Sequence, residues 1–360
     1  MATLTQNEIT RLINVITPEI FNQYMREQTA EKSRFVQSGI AVANEAVSRN
    51  IDVGGLFVNM PFWNDLSGVD EILDDGGRPL TTDKITAALD IAAVLYRGKG
   101  WATNELTGII AGDDPMAALL ARISDWWLRQ EQSVLLSVMR GLFDPGGTLA
   151  PTHLNDRADY DIDGSLILDT KQLLGDAHDR VNMLMMHSAV YTELQKQQMI
   201  EYIQPAGTNV RIPYYLEYAV DYDDGLPFDP TTGVFTTYLF GRGSIGRNSG
   251  NPSKMTTFEA DRDKARGNDM VYTRRAITMH PHGIAFKNNE RAKDGEGVQY
   301  VTPSNGDLAS VANWELVYEP KNVALLALKH KVKDFVPTPL MKRAALGAAP
   351  QMAAKKAAKE

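Results

Sequence analysis

Three short stretches of this 360-residue chain carry residue types at spacings that could do chemistry. "GRGSIG", with Gly241, Gly243 and Gly246, fits the G-x-G-x-x-G pattern that lets a backbone approach a pyrophosphate. That pattern works only where a strand leads straight into a helix whose amides face the phosphates. Here "RNSGNPSK" follows, which reads as a loop, so dinucleotide binding is not predicted. "DYDIDG" sets Asp159, Asp161, Asp163 and Gly164 at the spacing of the first half of a calcium loop. The closing bidentate Glu is replaced by Thr170, so the stretch reads as a turn or an acidic surface loop. "HPH" offers His280 and His282 on one face of a strand, two imidazoles with no identifiable third ligand. His178 and His187 fall on a predicted helix at about 170–204 and share no face of it. All four read as structural histidines. The chain has no cysteine, no G-x-S-x-G and no H-E-x-x-H. Neither a catalytic residue, a cofactor site nor a metal site is predicted, and an enzyme of unrelated α+β fold is the least favoured reading.

The elements that would position these residues are more informative. "GDDPMAALLARISDWWLRQEQSVLLSVMRGLF" spells a long helix. Asp114 is placed to cap it, Pro115 sits in its first turn, and Gly141 suits its exit. At 1.5 Å per residue it should run roughly 40 Å. Ile123, Trp127, Val134 and Val138 share one face, and Trp126, Leu135 and Met139 widen it. Arg122, Asp125, Arg129 and Glu131 are read as the polar remainder. Such a strut must lie on a broad apolar surface, and Trp126 and Trp127 are expected to bridge two neighbours, a sheet and the N-terminal arm. Residues 56–100 read as a long two-stranded excursion with its tip near 74–79. Pro61 confines the first strand to an edge or a strand end. Residues 1–50 read as helical, split at Pro18. Met183, Leu184, Met185, Met186 and Met199 read as the apolar face of a helix. Segments around 210–241, 271–287 and 313–331 read as strands. Helices and strands mix without regular alternation, so the class is α+β.

Composition narrows the function. An apolar fraction of 43% supports a real core, and no apolar run reaches the roughly 20 residues that cross a bilayer. The net charge of −8 is uneven: residues 321–360 are basic and the rest strongly acidic. The bulk surface is therefore unsuited to gripping nucleic acid. The tail "MKRAALGAAPQMAAKKAAKE" reads as a low-complexity, solvated terminus.

Taken in order, the segments resemble major capsid proteins of tailed bacteriophages with the Hong Kong 97-type fold. The resemblance rests on "MP" at 60–61, "RGKGW" at 97–101, "GDDPM" at 112–116, "HPHG" at 280–283 and "NWELV" at 313–317. It runs over about 55–335. It implies an N-terminal arm (1–50), an extended loop with flanking strands (51–105), and a peripheral domain with a spine helix (106–147). It further implies an axial domain (148–270), returning strands shared by both domains (271–335) and a basic tail (336–360). Pro61, Trp101, Asp114, Pro115, Trp126, Trp127, Gly141, His280, Gly283 and Trp314 would be its structural and assembly positions. The implied function is self-assembly, as hexamers and pentamers, into an icosahedral head around double-stranded DNA that is held without sequence-specific binding. A portal would be a partner, decoration proteins are left open, and, since no long scaffolding segment precedes the arm, a separate scaffolding protein or none is expected; no membrane is involved. The head would be assembled in the bacterial cytoplasm. Lys84 near the loop carries no cross-linking signature. The alternative is a cellular nanocompartment shell of the same fold.

Overall fold

A computed structural model describes residues 41–44, 51, 54–66, 68–72, 81–104, 115–203, 212–250, 252, 254–294 and 296–335. Most of the predicted arm, the loop tip at 74–79, Asp114 and the basic tail lie outside them.

Two sheets and one long helix organise the molecule. The first sheet has six strands: β1 (Ala41–Ala43), β2 (Phe57–Trp63), β3 (Ala87–Asn104), β11 (Ile245–Gly250), β12 (Phe258–Asp263) and β13 (Asn268–Pro281). Its order is β1-β11-β13-β3-β2, with β12 also on β13. Only β1 runs parallel to its neighbour. Ala41–Ala43 is thus strand, not the helix expected there. β2 and β3 form the predicted excursion, and Pro61 sits on the edge strand, where its missing amide hydrogen costs no ladder bond.

The second sheet has eight strands: β4 (Leu154–Asp161), β5 (Val181–Met186), β6 (Ile200–Ile203), β7 (Ile212–Tyr215), β8 (Tyr218–Tyr222), β9 (Phe228–Asp229), β10 (Val234–Gly241) and β16 (Leu325–Lys331). The order is β4-β16-β10-β5-β8-β7-β6, with β9 on β10. A small pair, β14 (Ile284–Phe286) with β15 (Trp314–Leu316), stands apart from both sheets, with β14 against β3. The Met-rich segment is therefore a central strand rather than a helix. Met183 and Met185 enter one core, while Leu184 and Met186 enter another on the opposite face. Leu325 and Ala327 against Leu326 and Leu328 repeat the division. A strand buried on both faces reads as one apolar run, so its period is invisible.

Helix α1 (Pro115–Phe143) has 29 residues, about 43 Å long, and packs on both sheets. Its lower half, from Val134 to Phe143, joins Leu95, Met279, Tyr238 and Phe240 in the main core. It stops at Asp144-Pro145, and Gly146 turns the chain with φ +87°. Short helices α2 (Gly164–Lys171), α3 (Ser188–Lys196) and α4 (Asn305–Ala309) complete the fold.

Candidate functional site

The upper half of α1 is fastened to the six-stranded sheet by aromatic rings and one shared carboxylate. Trp127 is fully buried among Ile123, Phe258, Val271 and Ile277. Its indole donates to Thr273 Oγ1 at 3.2 Å, and the Arg275 guanidinium lies 5.0 Å from its ring centroid. Trp126 is half-buried and meets Trp101 edge-on at 5.3 Å. Both tryptophans thus meet the same sheet; any contact with the arm lies outside the described residues. Glu131 does not belong to the polar remainder of the helix. It is buried, and it accepts from Arg247 at 2.6 and 3.0 Å and from Arg275 at 3.3 Å. Burial pulls Arg275 below the usual guanidinium range, and Glu131 opposes that shift. One residue of α1 therefore grips two strands, β11 and β13.

The sequence motifs turn out to be fasteners. His280 is buried and pairs with Asp90 Oδ1 at 2.8 Å, while the Gly283 amide donates to Asp90 Oδ2 at 3.0 Å. Gly283 has φ +83°, and a Cβ there would meet the Tyr318 ring at 2.5 Å. "HPHG" is thus a strand end clamped onto β3. Asp90 was missed in the sequence, although an acid inside "AALDIAAV" signals a buried partner. Arg97 donates to the Pro303 carbonyl at 2.6 Å and to Asn305 at 3.2 Å, anchoring the approach to α4. Trp314 donates to the Leu308 carbonyl at 2.8 Å, and Asn313 bonds the carbonyls of Glu290 and Asp307.

Gly141 is a correction. It does not end α1, which continues to Phe143. A Cβ at Gly141 would stand 2.3 Å from the Leu308 carbonyl and 2.5 Å from Trp314 Nε1, so glycine is required for close approach. Pro115 opens α1 as expected.

The chemical candidates fall apart spatially. Asp159 and Asp161 lie on the exposed edge strand β4, and Asp163 caps α2 by accepting from the Gly164 amide at 2.6 Å. His178 and His187 belong to different elements. "GRGSIG" joins two strands, and "RNSG", read as loop, is part of β11. No group of three or more metal-ligating side chains occurs among the described residues, nor is any helix there long and apolar enough to cross a membrane.

What the surface does offer is apolar. On and beyond the β2–β3 ribbon, Trp63 is 69% exposed, Leu66 79%, Val69 89% and Ile72 94%. A run this apolar and this open marks a contact surface.

The fold matches solved phage capsids. The chain resembles the capsid of Ralstonia phage GP4 with a TM-score of 0.54 at 10% identity, covering 86% of this chain and 93% of that one. It resembles the cyanophage Pam1 capsid asymmetric unit with a TM-score of 0.53 at 10% identity, covering 92% and 99%. The architecture is therefore the Hong Kong 97-type capsid fold, in a mixed α+β chain. No protein-family model matches. The major capsid protein of Bacillus phage SPP1 is 32% identical over 331 residues, which span 90% of this chain and 99% of that protein. The chain belongs to the family of tailed-phage major capsid proteins. It is a structural component of the virion, the subunit of the icosahedral head, and not an enzyme.

Proposed function

We propose that the head forms from hexamers and pentamers in which the β2–β3 ribbon of each subunit lies over its neighbour. The exposed series Trp63, Leu66, Val69 and Ile72 carries this reading. Each such side chain contributes about 1.5–3 kcal/mol when fully buried, which a lone subunit forgoes. An isolated two-stranded ribbon is marginal in water, so a neighbour's surface also supports its shape. Heterologous contacts that close into rings let one chain occupy both kinds of capsomer.

We assign the six-stranded sheet with α1 to the peripheral domain and the eight-stranded sheet to the axial domain that meets around the capsomer axis. On this assignment the axial span ends near 243 rather than 270, because β11 and β12 pair with β13. The later strands serve both units, β13 in one sheet and β16 in the other. Packaged DNA is held without sequence-specific contacts. A portal and separate scaffolding or decoration proteins complete the head.

The test replaces Leu66, Val69 and Ile72 together with Asp. The variant should keep the wild-type circular dichroism and sediment as a subunit or small oligomer. Closed shells of normal size from that variant would refute the ribbon's role.

A further inference from the structure

The "GRGSIG" turn is left unexplained by shell building. It carries the chain from β10 in one sheet to β11 in the other, so it sits at the seam between them. The Gly241 carbonyl accepts from the Ser244 amide at 3.2 Å and from Ser244 Oγ at 2.6 Å, closing a tight turn around Arg242 and Gly243. Gly243 has φ +73°, which favours glycine. Gly241 is held for a different reason: a Cβ there would stand 2.5 Å from the Arg180 carbonyl and 2.7 Å from the Ala324 Cβ.

These two glycines leave an open cleft. Arg242 stands on one wall and Arg180, Asn182 and Asn322 on the others, with His282 from the β13–β14 link. Arg180 is steadied by Asn322 Oδ1 at 2.9 Å. Arg242 is exposed and makes no hydrogen bond or ion pair among the described residues. The acid in the lining, Asp179, lies 3.0 Å from His178 Nε2, which offsets its charge only when protonated, so with two guanidiniums and one carboxylate the lining stays net positive. Burial, aided by the nearby His280, keeps His282 below its ordinary value, so its ring is neutral near pH 7 and the positive charge comes from the two guanidiniums.

We propose that this cleft is an oxyanion site that takes a phosphate group between Arg242 and Arg180. Several donors drawn from separate walls suit a tetrahedral anion with four acceptor oxygens, and guanidinium forks match phosphate geometry. The group is supplied either by free inorganic phosphate or by the phosphodiester backbone of DNA. Bound there, it ties both sheets together at the crossing.

The experiment is calorimetric titration of inorganic phosphate into the full-length subunit, at constant ionic strength set with chloride, for wild type, Arg242→Gln and Arg180→Gln. One phosphate per subunit is expected, weakened roughly 10- to 100-fold by either substitution. Arg242 is exposed, so its variant should melt like wild type and report on binding alone. A second arm adds a short DNA duplex. Competition with phosphate names the phosphodiester as the source, and absence of competition names the free anion. No phosphate binding by wild type, or binding by both variants as tight as that of wild type, overturns the site.

Discussion

Replacing Gly141 with Ala sets two physical effects against each other. By intrinsic propensity the change should stabilise an interior helical position by about 1 kcal/mol. The packing says otherwise. The new methyl would lie 2.3 Å from the Leu308 carbonyl and 2.5 Å from Trp314 Nε1, where ordinary contact begins at 3.4 Å. Neither neighbour is the free end of a flexible chain: one is backbone and the other a ring held at 2.8 Å by that same carbonyl. Relief requires α4 and the indole to retreat by roughly 1 Å, at about 1–3 kcal/mol of overpacking strain. Losing the indole hydrogen bond adds about 1 kcal/mol. The sum is a net destabilisation of about 1–3 kcal/mol. Urea unfolding of the unassembled subunit, followed by tryptophan fluorescence, measures it directly. A G141A subunit as stable as the parent, or more so, would refute the close-approach account and leave propensity as the controlling term.

His330 is buried with a folded pKa pushed down to about 4, while its unfolded value is near 6.5. Its contribution is therefore complete above about pH 6.5, falls as pH drops towards 4 and levels off below, by about 3 kcal/mol in all. His330→Gln should flatten that part of a stability–pH curve, although His153, His187 and His282, all shifted the same way, will preserve some slope. The two tryptophans should separate. Trp127→Ala should cost about 3–5 kcal/mol, and Trp126→Ala clearly less because Trp126 is only half-buried; equal costs in urea would contradict the packing described for them.

How much of this was legible in the sequence depends on the kind of signal. The spine and the ribbon were readable because a 29-residue helix repeats its period many times and Pro61 names its own edge. The Met-rich strand was not, because "VNMLMM" is buried on both faces and an unbroken apolar run carries no period. Gly141 imitated a helix stop, since glycine near a helix end usually marks one, whereas its true constraint comes from α4 more than 160 residues later. Glu131 looked like a solvated charge on the polar face until Arg247 and Arg275 were brought to it from strands far along the chain. Asp90, by contrast, was within reach: an acid in an apolar strand demands a partner, and "HPHG" supplied one. The histidine and aspartate motifs suggested ligands only because spacing along a chain says nothing about convergence in space.

The position of β16 has a consequence for synthesis. It lies between β4 and β10, yet it is drawn from residues near 330, long after the strands on either side have been made. At roughly 5–20 residues per second, β10 waits about 4–17 s and β4 about 8–33 s beside an open slot in the sheet. The eight-stranded sheet is complete only once this late strand has been inserted. Until then β4 has no partner in the sheet, because β16 is its one neighbour among the described residues.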